Sequence, residues 1–336
     1  MRVLVSGGAG YVGSFTVRSL LSAGHEVLVV DDLSTGRREA VSGVPLELGD
    51  IRDELRLESV FANFRPHAVM HFAGLKSSEE SMTEIGRYMD VNVRGLTTVL
   101  ECSRRHGVRL FVFSSSCSVY GTPGCVPVTE DVSAAPESPY GESKSMGEHL
   151  VQWYGRLANI RFANLRYFNA AGAAADGSHG AYVPASVREI FPMVIRACLG
   201  MVDGIRILGS DFPTSDGTAV RDYIHVEDLA KAHLRVLEGL DDSDVSGSYN
   251  VGCGTGVSVQ EVVQTVRMVS GRRPPVSFGA RRPGDPAGLW ADTTRIKEAF
   301  GWEPVHDLAA IAETAWRWHR DNPSTLGPDS SSLSGR

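Results

Sequence analysis

The sequence predicts an α/β protein built on a doubly wound parallel sheet, with a second and smaller α/β domain toward the C-terminus. Three observations carry this prediction. Short apolar runs alternate with longer amphipathic segments through the first half of the chain. A glycine-rich turn joins the first run to the first amphipathic segment. After Asn169 the alternation loosens, and "AAGAAADGSHGAYV" is small and glycine-rich.

Taken in order, the strands are "RVLVSG", "HEVLVVDDL", "PLELGD", "AVMHFAG", "RLFVFSSS" and "IRFANLRYFN". They read as near-continuous apolar runs because a parallel sheet covered on both faces has no polar side. Between them, residues 11–23, 53–64, 89–106 and 141–158 carry apolar residues at three-to-four spacing, the pattern of helices with one buried face. The first domain is expected over 1–169 and the second over 170–322. "SYNVG" at 248–252, within a segment near 222–255, is a strand candidate able to return to the first sheet, so the second domain is discontinuous. From Pro323 to residue 336 the chain lacks apolar periodicity and reads as a disordered tail. No internal repeat is visible.

Composition narrows the function. The 336 residues are 42% hydrophobic and 22% charged, ordinary for about two globular domains. A net charge of -7 with no run of Lys or Arg leaves no footprint for nucleic acid. Cys102, Cys117, Cys125, Cys198 and Cys253 form neither a CxxC pair nor a zinc-spaced set with histidines, so no disulfide framework and no metal is expected. No leader pattern and no membrane-length apolar stretch is present, and a cytoplasmic enzyme is the expectation.

In "VLVSGGAGYVG", Gly7, Gly10 and Gly13 lie between a strand and a helix. Glycines there permit the tight turn and let backbone amides approach a pyrophosphate seated at the helix N-terminus. Asp31 closes the second strand, where a carboxylate accepts from adenosine ribose hydroxyls, and Asp32 and Ser34 follow in the same turn. This favours NAD over NADP, whose 2′-phosphate the carboxylate would repel. Arg37 and Arg38 lie close enough to serve a phosphate, so the preference is not absolute.

"SPYGESK" sets Tyr140 four residues before Lys144, on one helix face. A free tyrosine has a pKa near ~10 and is a poor base at neutral pH. A neighbouring cation favours the phenolate, which can then act as a general base. Ser114, Ser115 and Ser116 end the preceding strand at the carboxyl edge of the sheet, where such folds bind ligands. A hydroxyl there orients a substrate alcohol or relays its proton. Together with a dinucleotide site, the set supports removal of a proton and a hydride from a secondary alcohol.

With these residues in view the chain resembles the UDP-glucose 4-epimerase family of extended short-chain dehydrogenases, over nearly all of residues 1–322. The resemblance is carried by "GGAGYVGS", "HFAGLK", "FSSSCSVYG", "SPYGESK", "LRYFN", "DGTAVRDYIHVEDLA" and "RRPGDPAGLWAD". It implies a Rossmann-type domain holding NAD, a homodimer and a UDP-sugar substrate. The implied chemistry takes hydride from sugar C4, turns the 4-keto intermediate within the site and returns the hydride to its other face. By resemblance Tyr140 is the base, Ser116 assists at the 4-hydroxyl, and Lys144 tunes Tyr140 and binds the nicotinamide ribose. Further cofactor contacts are implied from Tyr11, Val12, Asp50, Ile51, Phe72, Ala73, Lys76, Asn92 and Phe168. For the nucleotide sugar the resemblance points to Cys117, Ser118, Asn169, Glu189, Leu208, Arg221, Arg282, Asp285 and Leu289. Without it, Phe72 and Phe168 read as core aromatics and Lys76 as a solvated loop cation.

Three positions depart from the family pattern. "REIFP" places Glu189 where an asparagine is expected beside the phosphates, and a carboxylate there repels a diphosphate unless it is turned away, paired with Arg188 or protonated. Leu208 stands for a phenylalanine near the uracil. Leu289, intermediate in bulk, leaves 2-acetamido sugars open, and epimerisation of a UDP-uronate or dTDP-hexose remains an alternative. A 4,6-dehydratase would need an extra acid and base, where "SSSCSVYG" has Cys117 and Ser118; a sugar-acid decarboxylase is disfavoured likewise. A non-catalytic NAD-sensing protein would not need Ser116, Tyr140 and Lys144 together.

Overall fold

The computed structural model describes residues 1–185, 187–282 and 284–327. Seven parallel strands make the main sheet: β1 (Arg2–Ser6), β2 (Glu26–Asp31), β3 (Leu46–Leu48), β4 (Ala68–His71), β5 (Leu110–Ser116), β6 (Arg161–Tyr167) and β7 (Gly247–Val251). Their order is β7-β6-β5-β4-β1-β2-β3. The period-2 geometry of a strand divides the side chains between two cores. Val3, Val5, Leu110 and Val112 face one cluster, while Leu4, Phe111 and Phe113 face the other. Each such side chain contributes about 1.5–3 kcal/mol on burial, so both faces must be covered.

Helices α1 (Tyr11–Ser22), α2 (Glu54–Phe64), α3 (Gly95–Arg105) and α4 (Pro139–Ala158) cover the first half of the sheet. The bounds of α4 are written in its sequence. Ser138 caps it by accepting from the Gly141 N–H, Pro139 occupies the first turn, and Asn159 ends it in the left-handed region. The expected helix over 89–106 is not uniform: Met89–Arg94 form a π-helical turn before α3. A π turn interrupts the 3.6-residue period that the apolar pattern reports.

Beyond β6 the chain supplies α5 (Ile190–Cys198), α6 (Val226–Asp242), α7 (Val259–Ser270) and α8 (Leu308–Asp321). Val194, Ile195, Val263, Ile311 and Trp316 from α5, α7 and α8 build a separate core with Ile205 and Ile207. In contrast, Leu229, Val236 and Leu237 of α6 join the cluster of Val3 and Val5, as do Ile296 and Trp302 from a stretch the sequence pattern assigns to the second domain. The expected tail begins too early. Pro323–Leu326 form a 3-10 turn with Leu326 buried, held by the Val183 N–H donating to Thr325 O at 2.7 Å. Residues 328–336 of that expected tail lie outside the described residues. Among the described residues no helix is long and apolar enough to cross a membrane.

Candidate active site

β1 lies between β2 and β4, so the chain leaves the carboxyl edge of the sheet in opposite directions there, opening a crevice. Gly7 lines it with φ 75°, and a Cβ at this position would collide with the Ala73 backbone. A Cβ at Gly13 would collide with the Gly7 carbonyl. Both positions therefore need glycine, one for its dihedral and one for close helix-to-loop packing. At the start of α1, Gly10 supplies no capping side chain and the first turn has no acidic residue, which leaves its N–H groups free for an anion. Tyr11 and Val12 open the helix; the Tyr11 hydroxyl donates to Gly172 O at 2.7 Å.

Asp31 ends β2 nearly buried, its carboxylate accepting from the Ala9 and Leu33 N–H groups at 2.9 Å each. Burial pushes its pKa up and these two hydrogen bonds oppose the rise. Asp32 and Ser34 form an exposed turn closed by the Ser34 hydroxyl and N–H on Asp32 Oδ1. Together the glycine turn, the open helix end and Asp31 fit a dinucleotide: a backbone cradle, a positive helix terminus and a carboxylate for a ribose.

Other expected cofactor contacts are divided. Asn92, in the π turn, accepts from Leu75 N at 2.8 Å, donates to Leu75 O at 3.0 Å and donates to Ser143 Oγ at 2.9 Å. It thus fastens the loop after β4 to α4. Ala73 is held by Ser6 O, and Phe72 is half-buried with its ring 4.8 Å from that of His233. Two side chains are engaged elsewhere. The Asp50 carboxylate is taken by Arg52, which holds its pKa down, and Phe168 is a buried core aromatic packed with Val119, Leu289 and Ala291. Ile51 is also buried, in the α2 and α3 core.

Tyr140, Lys144 and Ser116 meet at the mouth of β5. The Lys144 ammonium lies 6.0 Å from the Tyr140 ring centroid, but donates to Ser114 O at 2.7 Å rather than to the phenol. Ser116 Oγ accepts from Ser118 N and donates to Ser118 Oγ, both at 3.1 Å. Burial drives the Tyr140 pKa far up, nearby Tyr167 adds to the rise, and hydrogen bonding from Ser116 opposes it. Burial also lowers Lys144 to about 8, against the attraction of Glu148.

The Lys144 shift has a testable sign. Below about pH 8 the folded protein holds a buried ammonium; from there up to the ordinary lysine value only the unfolded chain keeps that proton. Wild-type stability should therefore rise relative to Lys144→Met between about pH 8 and 10, read as the difference in urea unfolding free energy. A difference that stays constant across that window would show that Lys144 is not so perturbed.

On the substrate side, Asn169 begins a short strand (Asn169–Ala171) paired with Tyr223–His225, and its amide donates to Asp222 O at 3.0 Å. Arg221 and Asp285, both expected at the nucleotide, are bonded to each other. Arg282 is exposed and its carbonyl accepts from Asp285 N at 3.3 Å. Leu289 is a buried wall beneath Cys117 and Phe168, while Leu208 ends the strand Ile205–Leu208 half-buried. Burial raises the Cys117 thiol to about 12, so it stays protonated, and Ser118 is half-buried beside it. Glu189 does not pair with Arg188: its Oε1 accepts from Lys76 Nζ at 2.8 Å. Both side chains are exposed, and such pairs contribute only about 0–1 kcal/mol to stability.

Sequence reasoning missed three supports. Tyr167 and Ser114 share a hydrogen bond of 2.5 Å beside the Lys144 anchor. Glu148, buried one turn after Lys144, accepts from Ser115 Oγ and from Arg166 Nη2 at 2.6 Å, and Arg166 Nη1 donates to Tyr120. Asp222 is fully buried and accepts from the N–H groups of Cys253, Gly254 and Ala291; burial raises its pKa to about 6. The four-residue step from Lys144 to Glu148 was the one available signal.

Comparison with known proteins agrees with this fold. Residues 3–252 match the model of the NAD dependent epimerase/dehydratase family. The chain is 41% identical over 330 residues to a UDP-glucose 4-epimerase of Lacticaseibacillus casei, covering 97% of this chain and 99% of the relative. Its fold superposes with TM-score 0.93 and 36% identity on a UDP-glucose 4-epimerase of Stenotrophomonas maltophila solved with bound NAD and formylated UDP-arabinopyranose, covering 96% and 99% of the two chains. A Bifidobacterium longum UDP-glucose 4-epimerase in complex with NAD+ and UDP gives 0.89 and 35%, covering 97% and 100%. A dinucleotide cradle, a Ser/Tyr/Lys set at the same sheet edge and likeness along nearly the whole chain converge: this chain belongs to the UDP-glucose 4-epimerase family of NAD-dependent epimerases.

Proposed function

We propose that the protein interconverts UDP-glucose and UDP-galactose by inverting sugar C4. It is an NAD-dependent enzyme of the epimerase type, and the observation that carries the finer reading is Ser116, Tyr140 and Lys144 gathered at the sheet edge that also carries the glycine turn. Bound NAD supplies the hydride acceptor and donor for the C4 carbinol. Tyr140 takes the proton of the 4-hydroxyl and returns it to the 4-keto sugar. Because burial favours its neutral phenol, Tyr140 needs positive charge nearby to serve as the base. Lys144 supplies one such charge, with Ser114 O fixing its position. Ser116 orients the 4-hydroxyl, and Leu289 bounds the sugar pocket. Asp31 accepts from the adenosine ribose, and the amides after Gly7 and Gly10 receive the pyrophosphate. Arg221 and Arg282 offer guanidinium forks to the substrate diphosphate, with Asp285 free for the nucleoside ribose once Arg221 turns to phosphate.

The direct test incubates NAD-loaded protein with UDP-glucose, UDP-galactose, UDP-N-acetylglucosamine, UDP-glucuronate and a dTDP-hexose, resolving the C4 epimers by chromatography. Conversion of the first pair is expected. No C4 epimer from either UDP-hexose rejects the reading, and a 4-keto-6-deoxy product replaces it with a dehydratase.

We further propose a homodimer in the cytoplasm, where the five free thiols stay reduced. Met146, Trp153 and Leu157 line one side of α4 and are exposed, Trp153 to 57% and Leu157 to 79%. A second copy laid on this stripe would cover it. Trp153→Glu should convert dimer to monomer in sedimentation with the fold intact by circular dichroism; an unchanged mass would move the interface elsewhere.

A further inference from the structure

The loop from Gly172 to Tyr182 lies along one face of α1. Tyr11, Ser14 and Arg18 stand three or four residues apart on that helix, and each bonds to the loop. The Tyr11 hydroxyl donates to Gly172 O at 2.7 Å, Ser14 Oγ meets His179 Nε2 at 2.8 Å, and Arg18 Nη2 donates to Ser178 Oγ at 2.8 Å. The middle bond is the buried one: Ser14 is 1% and His179 6% exposed, and the imidazole ring lies 4.6 Å from that of Phe15. Ala174 of the loop joins the same small core as Phe15 and Tyr11. On its other side the loop is backed by α6 and α8. Ala173 N donates to Thr314 Oγ1 at 3.2 Å, Ala175 N donates to Glu227 Oε1 at 3.3 Å, and Arg317 Nη2 donates to Ala175 O. It is therefore a fixed support for α1 rather than a flap riding on it.

The direction of the buried bond follows from a count of protons. Ser14 Oγ also donates to Tyr11 O at 3.0 Å, which uses its one proton. His179 therefore carries a proton on Nε2 and donates it to Ser14 Oγ. This chain of bonds runs from His179 through Ser14 to the carbonyl of Tyr11, the first residue of α1, whose side chain the same loop holds through Gly172 O. Tyr11 N is one of the amides at the open head of α1 that face the dinucleotide crevice. We propose that His179 is a positioning residue for the cofactor: through Ser14 it locks Tyr11 against the loop 172–182 and so slows the release of bound NAD. The inference goes beyond the sugar reading and holds whichever nucleotide sugar is the substrate. Retention has a chemical use. A hydride taken from a substrate and returned to it must stay in the site between the two transfers, and a cofactor that left midway would strand the oxidised sugar.

The experiment loads the protein with radiolabelled NAD, chases with excess unlabelled NAD and follows the label retained on the protein by rapid gel filtration. His179→Ala should release NAD about tenfold faster than wild type, the effect of losing one buried hydrogen bond and loosening the chain behind it. Ser14→Ala should do the same. The double variant should release NAD no faster than either single one, because both break one chain of bonds. His179→Gln keeps an N–H near the Nε2 position and should stay within about threefold of wild type. The urea midpoint of each protein separates positioning from bulk stability. A lowered midpoint with NAD release within about twofold of wild type in both alanine variants would reduce His179 to a packing residue and overturn the inference. Effects that multiply to about a hundredfold in the double variant would overturn the shared route through Ser14.

Discussion

Replacing Tyr140 with Phe should lower turnover at least ~100-fold while bound NAD and UDP affinity stay close to wild type. The substitution removes one oxygen from a side chain that is already buried and packed edge-on to Tyr88 at 6.5 Å, so the site keeps its shape. What disappears is the atom that accepts the 4-hydroxyl proton. Since that proton must leave as the hydride does, the loss falls on kcat rather than on KM. Near-normal turnover with full NAD content would show that another group is the base. Ser116 is the only other named hydroxyl of the trio, and Ser116→Ala in the same assay would then identify it.

The second large effect is on stability. Arg166→Met should destabilise the protein by about 3–5 kcal/mol, because it strands a buried carboxylate. Glu148 and Arg166 are 3% and 9% exposed, and the guanidinium holds both carboxylate oxygens. Ser115 Oγ, at 2.5 Å from Glu148 Oε1, is one of the donors left to it. The pair also reaches the chemistry. Glu148 supports the Lys144 ammonium, and Ser115 lies between the Lys144 anchor and Ser116 on β5. The measurement is the urea midpoint at constant m-value, together with the double variant Glu148→Gln/Arg166→Met. The double variant should recover much of the loss; a single-variant loss under about 1 kcal/mol would mean that no charge is being stranded.

Much of the candidate site's layout was legible because it is local. The glycine turn, Asp31 at the end of β2 and the Tyr140–Lys144 step each depend on a few consecutive residues whose backbone permissions are written in their types. The same holds for Ser138 and Pro139, which fix where α4 begins. Less legible were the side-chain pairings, which an alternative local partner or a distant one decides. Asp50 goes to Arg52, two residues on, and Arg221 goes to Asp285. Phe168 packs in a core with Leu289, as its aromatic type alone suggested, although the partner segment lies far along the chain. The π turn at Met89–Arg94 was not legible in the apolar period, because the residue it buries is the polar Asn92.

By itself the sequence determined the strand and helix periods, the glycines at which no Cβ fits, and the order of chemical groups along the sheet edge. Only the tertiary structure decided which charges answer one another: Lys76 with Glu189, Arg166 with Glu148, and Lys144 with a carbonyl rather than with the phenol. The reason is physical. Backbone preferences act within a few residues, whereas an electrostatic partner is set by distance and local dielectric, and both exist only once the chain has closed around them.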